Sequence, residues 1–428
     1  MKTIEVPALA RVEGEGGLYI GLKDGQVVEI RLDIYEPPRF FEGFLVGRYL
    51  QEVPDITARI CGICPVAYQM SSVAALEKAL DVEVSPQVYA LRRLMYCGEY
   101  IESHALHIYL LQAPDLLGQP SALDLAAIAP EVVKNALRMK KIGNEVLKAI
   151  GGRSVHPVNA CVGGFYRWPE NTALQALIPE LEWGLEAAKE TVRWSLTLPY
   201  PELEIDYEFV ALHHPEEYAV MHGEVLSSKG HKTAVADFEM RYFEEHVQRS
   251  NALHSHTSYG STYLVGPLSR LNLNHEQLLP EAQKALEENR IKLPIKNPYR
   301  SLIARAVELV HFYAEAIQII KAYQPEGPAH LALNLKAGEG AGASEAPRGL
   351  LYHRYKIDEN GRVTFAKITP PTAQNLPRIE ADLFALAPQI VEMPQEQATL
   401  TAEHLVRSYD PCISCATHFL KLKIENRE

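Results

Sequence analysis

Two pairs of cysteines are the residues of this chain best placed to do chemistry. Cys61 and Cys64 stand in ARICGICPVAYQM, and Cys412 and Cys415 stand in SYDPCISCATHF with His418 three residues on. Two intervening residues let both sulfurs of a pair face one ion, and a helix beginning after Cys64 would favour the thiolate, the ligating form, at its N-terminus. Four thiolates and a nearby imidazole are then available, a soft set that suits nickel, iron or zinc about equally. Taken alone, either pair fits structural zinc, a redox dithiol or an iron–sulfur ligand set. Zinc ribbons usually close within ~15 to 20 residues. Here almost the whole chain separates the pairs, so one centre holding all four sulfurs would join the two ends.

Composition bounds the rest. At 428 residues the chain exceeds the size at which a single core stops growing, so two lobes or one large multilayer domain is expected. With 47% apolar and 22% charged residues it has the make-up of a soluble globular protein. No stretch approaches the ~18 apolar residues of a membrane span. A net charge of −12 argues against a nucleic-acid surface, which needs clustered Lys and Arg. Six cysteines are too few for a disulfide scaffold. The opening MKTIEVPALARVEGEGG lacks an apolar run and a cleavage site, so no secretory signal is read and a cytoplasmic address is expected, unless a signal-bearing partner exports both chains.

The elements that must position the cysteines are mostly helical. Apolar residues recur at three- and four-residue spacing over Val66 to Ala79, Pro86 to Gln112, Pro130 to Ile150, Asn171 to Leu196, His275 to Asn289 and Tyr299 to Tyr323. Alternating runs around Asp24-Gly25 and Asn360-Gly361 predict two β-hairpins, the second a candidate to join the sheet of the first. The Gly- and Ala-rich stretch Glu326 to Gly349 reads as an ordered loop. The fold class is therefore α+β, mainly α: a large helical bundle with small hairpin sheets, taken as one domain over residues 1–428. Cys97 and Cys161, isolated from other cysteines, read as core residues.

RICGIC and DPCISCATH resemble the two metal-binding signatures of the nickel–iron hydrogenase large subunit. The similarity extends over essentially the whole chain. RVEG at Arg11 to Gly14, RFFEGF around Glu42, ESHALHIYLLQAPD from Glu102 to Asp115, EAPRG from Glu345 to Gly349 and PPTAQN before the last helices agree with it, in order. The resemblance implies that Cys61 and Cys412 are terminal nickel ligands. Cys64 and Cys415 would bridge nickel to an iron carrying carbon monoxide and cyanide. Arg348 resembles the arginine over the open metal position, and its pairing with Asp115 and Asp410 is expected; outside the motif, such an Arg would merely tie loops together. Glu13 resembles the glutamate that relays protons from the cysteines, whereas Glu15 is expected to be solvated. Glu42 and His418 look like ligands of a second, structural metal, Mg2+, with a backbone carbonyl near Ile368 as third contact. A plain Glu to His hydrogen bond is the blander alternative. His104 and His107, three apart on one helical face, suit either donors near the cluster or packed core histidines.

One departure is Tyr68, where many relatives carry histidine. A phenol can donate a hydrogen bond to the Cys64 thiolate but does not titrate near neutrality. After His418 the residues FLKLKIENRE resemble a removable C-terminal tail, 419–428, which implies a maturation endopeptidase and nickel-insertion factors. No cysteine run for electron transfer exists here, so an iron–sulfur small subunit is implied as partner. The chain most resembles the cytoplasmic, bidirectional, NAD(P)-linked branch that includes sulfhydrogenases. That implies further diaphorase-type subunits, with iron–sulfur clusters, flavin and NAD(P) only on partners and H2 as substrate. The competing readings are a hydrogen sensor or assembly protein, a relative of the complex I quinone-reductase subunit, which lacks the cysteines, and a zinc-stabilised structural protein.

Overall fold

Proline at the first turn starts most of the long helices, where its missing N–H would have no partner in any case and its fixed φ suits the helix. These are α1, Pro65–Leu80; α2, Pro86–Leu106; α3, Pro130–Gly151; and α4, Ile178–Ser195, with Pro179 second in line. After them come α5, Ser301–Ala322, and α6, Pro371–Ile390, which again opens on proline. The computed structural model describes residues 2–23 and 26–417. The turn expected at Asp24-Gly25, the metal ligand expected at His418 and the tail all lie outside the described residues.

Helix α2 packs between α3 and α5, and α5 packs on α4, so α5 is buried along nearly its whole length. One continuous core runs from Val6 to Ala416 and includes all four motif cysteines. The predicted helices are found with altered ends. The Pro86 helix widens after Leu106 into a π-helical turn, His107–Gln112. Asn171 to Leu196 is broken into Asn171–Gln175 and α4. His275 to Asn289 becomes a 3-10 turn, His275–Gln277, and a helix, Pro280–Glu288, because Pro280 sets a new first turn.

Both hairpins form. Strands β1, Lys2–Val6, β2, Gly16–Lys23, and β3, Gln26–Ile34, make one antiparallel sheet in that order. Strands β4, Gly338–Ala346, β5, Gly349–Ile357, and β6, Val363–Thr369, make another. The hairpins do not share a sheet, contrary to expectation, because they serve different helices. The first sheet packs on α6, with the Leu32 amide donating to Glu380 at 2.8 Å, and the second lies on α1. Residues 210–257, where periodicity predicts nothing, carry short strands, among them the antiparallel pair Tyr242–His246 and Leu253–Thr257.

The second half of the expected Glu326 to Gly349 loop is strand β4. Its glycines alternate, at 338, 340 and 342, and face α1 so closely that a Cβ on Gly340 would stand 2.1 Å from the Ala75 carbonyl oxygen and 2.5 Å from the Ala79 amide. Hydrophobic alternation is absent because the helix backbone itself fills the place of the missing side chains. Gly340→Ala should therefore destabilise the fold by about 1–3 kcal/mol, the usual range for overpacking. Denaturant unfolding checks this, and a variant as stable as the parent would refute the close approach.

On the hairpin that follows Tyr242, His254 is 2% exposed. Burial, aided by the charge of Arg249, pulls its pKa down to about 3. The fold accepts the neutral ring, so the stability it contributes is present above the unfolded value near 6.5 and lost as pH falls toward 3. His254→Phe should flatten the slope of stability against pH by about 1.4 kcal/mol per unit between pH 6 and 4. Urea titrations at several pH values would read the slope, and an unchanged slope would contradict the buried neutral ring.

Candidate metal centre

The first cysteine motif ends where α1 begins, and the amides there lack the usual cap. Glu99, from the middle of α2, supplies it: its carboxylate accepts from the Val66 and Ala67 amides at 2.6 and 3.1 Å. Burial pushes the Glu99 carboxyl well above its ordinary range. The sequence reading missed this residue, whose one signal is a lone Glu among apolar positions of a helix. The second motif follows a turn in which Asp410 takes a left-handed φ of 56°. Thr372, in the first turn of α6, accepts from the Cys412 amide at 2.9 Å.

The two motifs are held to each other and to the N-terminal segment largely through main-chain groups. Glu13 and Cys412 form an isolated parallel bridge, and the Ile413 amide donates to the Glu13 carbonyl at 2.8 Å. Arg39 clasps both motifs, donating to the Ile60 carbonyl at 2.8 Å and to that of Ser414.

The four sulfurs converge. Cys64 Sγ lies 2.8 Å from Cys61 Sγ, which lies 3.8 Å from Cys412 Sγ. Cys412 and Cys415 come together beside them. The sulfurs of Cys61, Cys412 and Cys415 are all within 4.8 Å of one another, and each of the four residues is at most 3% exposed. Burial works to raise the Cys61 thiol, but its hydrogen bond from Cys64 and the charge of Arg348 outweigh it and leave it below the ordinary value. Cys64, donating to Cys61 and buried, is pushed well above. Sulfurs this close in a dry site cannot all ionise without a cation among them, and thiolates are the ligands that soft metals select. The donor set therefore fits a thiolate-bound metal centre.

Two charged groups flank the sulfurs. Glu13, half-buried, has Oε2 3.0 Å from Cys412 Sγ and 3.1 Å from the Ser414 amide, which donates to it. Glu15 is exposed, as expected. Arg348, 3% exposed, donates through Nε to the Asp410 carbonyl at 2.8 Å and through Nη2 to Asp410 Oδ1 at 3.0 Å. Its Nη1 stands 3.9 Å from Cys64 Sγ. Burial opposes ionisation of Asp410, but Arg348, His107 and Arg305 together outweigh it and hold the carboxyl below its usual range.

Several expectations are corrected or narrowed. Asp115 does not pair with Arg348. It lies beyond the π-helical turn and binds Arg11 and, at 2.7 and 2.9 Å, Arg407, so it ties the N-terminal segment to the helix Gln395–Ser408. His104 bonds Glu308 at 2.7 Å and His107 donates to the Arg407 carbonyl at 2.8 Å. Burial lowers their pKa values to about 4 and about 3, the behaviour of neutral core histidines. The Tyr68 hydroxyl is buried without a hydrogen-bond partner among the described residues, so it does not donate to Cys64; its ring packs 5.7 Å from that of His353. Glu42 lies beside Ile368, whose amide donates to it at 2.8 Å. Lys367 Nζ lies 4.0 Å from the same carboxylate. Cys97 and Cys161 are buried core residues, as expected.

With this geometry in view, the chain's relatives become informative. Residues 39–150 and 253–418 match the family described as nickel-dependent hydrogenase. The chain is 36% identical to sulfhydrogenase 2 subunit alpha of Pyrococcus furiosus over 429 residues, covering 98% of this chain and all of that one. To sulfhydrogenase 1 subunit alpha of the same organism it is 34% identical, with 98% of each chain covered. Among solved structures, an NAD+-reducing [NiFe]-hydrogenase in the H2-reduced state superposes with a TM-score of 0.88 at 26% identity, over 98% of this chain and 100% of that one. Family, fold and converging sulfurs agree: the chain belongs to the nickel-dependent hydrogenases, as a large, catalytic subunit that acts on H2.

Proposed function

We propose that Cys61 and Cys412 are the terminal nickel ligands and that Cys64 and Cys415 bridge nickel to an iron carrying carbon monoxide and cyanide. The observation that carries this reading is the convergence of four buried sulfurs from opposite ends of the chain, with a carboxylate at Cys412 and a guanidinium at Cys64. When bound, the metal pair supplies the site at which H2 is split into protons and electrons. The chain's own residues handle the protons and exclude water. Glu13 takes a proton from Cys412 Sγ across 3.0 Å and, being half-buried, passes it outward. Arg348 directs positive charge at Cys64, while Asp410 orients the guanidinium through two hydrogen bonds. Asp115 belongs to the frame that holds the N-terminal segment.

Residues 1–428 act as one domain in this reading, supported by the main core, which draws on residues from Val6 to Ala416. Glu42, His418 and the Ile368 carbonyl hold a structural Mg2+. Four of the six cysteines are committed to the centre, and Cys97 and Cys161 stand apart, so electrons leave through an iron–sulfur small subunit. The NAD+-reducing hydrogenase among its structural neighbours supports further diaphorase-type subunits bearing flavin and NAD(P). Residues 419–428 are removed by a maturation endopeptidase after nickel insertion. No helix among the described residues is long and apolar enough to cross a membrane, which is compatible with a cytoplasmic enzyme.

Elemental analysis and infrared spectroscopy on the protein purified with its partners test the centre directly. Nickel and iron with cyanide and carbonyl bands are expected, and Cys61→Ser or Cys412→Ser should abolish bound nickel while circular dichroism stays that of the parent. Zinc alone in fully processed protein would sink the assignment. Glu13→Gln should keep the nickel and the infrared bands but slow H2/D2O exchange by roughly 10²- to 10⁴-fold, the range for loss of a positioned proton carrier. Exchange at the parental rate would remove Glu13 from the path.

A further inference from the structure

Arg348 sits on an unusual turn. Ala346 and Gly349 are the last paired residues of the β4–β5 hairpin, so Pro347 and Arg348 form a two-residue loop. Two-residue hairpin loops favour primed turns, which need a positive φ at their first position. Proline cannot supply it. The loop is therefore not a primed turn, and it finds hydrogen-bond partners for its carbonyls outside the hairpin.

Those partners converge from the helix bundle. Arg270 Nη1 donates to the Ala346 carbonyl at 2.9 Å and Nη2 to the Pro347 carbonyl at 3.0 Å. Tyr100, on α2, donates its hydroxyl to the carbonyls of Glu345 and Ala346 at 2.9 and 3.3 Å. Arg270 is itself locked. Its Nε and Nη2 meet the two oxygens of Glu308 at 2.6 and 2.9 Å, and Nη1 also reaches Glu345 at 3.2 Å. Glu308 is fixed in turn by His104 at 2.7 Å and by the Tyr218 hydroxyl at 2.6 Å. Arg270, Glu308 and Glu345 are all 0% exposed. Arginine is suited to this task because its planar fork presents five donors in fixed directions, which a lysine ammonium does not.

We infer that Arg270, locked by Glu308, is a positioning residue that sets where the Arg348 guanidinium stands over the sulfurs, acting through the Ala346 and Pro347 carbonyls. This rests on the reading of Arg348 as the arginine that faces the metal centre. A buried ion pair would explain Arg270 and Glu308 alone. It does not explain why the remaining donors are spent on the two carbonyls immediately before Arg348. The same clamp gives His104 its role: it holds the outer face of Glu308, two links from the loop.

The test uses Arg270→Lys and Tyr100→Phe in the complete, nickel-loaded complex, with Arg348→Lys and the Arg270→Lys/Arg348→Lys pair as references. Nickel content should match the parent in every variant. Arg270→Lys should lower turnover about 10- to 100-fold, the scale of an ångström-level misplacement, and Tyr100→Phe should lower it a few-fold. The double variant should be no slower than Arg348→Lys, because both changes act through one group. A crystal structure of Arg270→Lys should show the Arg348 guanidinium displaced from Asp410 and Cys64. Parental turnover in a nickel-replete Arg270→Lys, an unmoved guanidinium, or losses that multiply in the double variant would each overturn the clamp. If Arg270→Lys does not fold, Tyr100→Phe carries the same readouts without removing a buried charge. Parental turnover in Arg348→Lys would instead sink the reading of Arg348, while its displacement in the Arg270 and Tyr100 variants would still report on the clamp.

Discussion

Everything in this structure depends on closing the chain's two ends onto each other. The loop to be closed runs from the RICGIC motif to Cys412, and its entropy cost grows only slowly with length, roughly as the logarithm. Even so, sulfurs alone would be a poor fastening while no metal is bound. The closure is made instead by the Glu13–Ile413 main-chain bond, by Arg39 reaching the carbonyls of Ile60 and Ser414, and by Thr372 on the Cys412 amide. These contacts bring the two motifs together through main-chain and side-chain groups other than the sulfurs.

Around that closure the interior is rich in charge. Arg348 with Asp410, Arg270 with Glu308 and Glu345, and Arg407 with Asp115 are buried ion pairs within or beside the core. Such pairs stabilise little compared with apolar packing, because desolvation offsets most of the attraction. Their value here is directional. Each carboxylate has hydrogen bonds that leave its arginine essentially one orientation, and an arginine so held aims its remaining donors at carbonyls or, for Arg348, its charge at the Cys64 sulfur. The histidines of ESHALH fall into the same scheme, as neutral supports whose partners are Glu308 and the Arg407 carbonyl and not the sulfurs.

Legibility in the sequence followed the range of the interaction. The long helices were readable because their apolar spacing is local, and the hairpins because Asn360-Gly361 and the alternating runs beside it are local. Strand β4 was not readable: its inward positions are glycines, and what fills them is the backbone of α1, more than 250 residues earlier in the chain. The pairing of the two hairpins into one sheet was wrong for a related reason, since strand order is chosen by which helix covers each sheet. Glu99 went unnoticed because a carboxylate capping a helix from another helix leaves no pattern at either site.

The sequence by itself located the two cysteine pairs, and the ordered motif series around them carried the resemblance to the nickel–iron hydrogenase large subunit, the family to which the chain belongs. Those features are matters of residue type and local spacing, which the linear chain carries in full. Only the tertiary structure decided which carboxylate meets which arginine. Asp115 and Asp410 were both expected to pair with Arg348, and the fold gave Asp410 to Arg348 and Asp115 to Arg407 and Arg11. The physical reason is that an ion pair depends on distances of a few ångströms between groups far apart in the chain, and those distances are set by how helices and sheets pack.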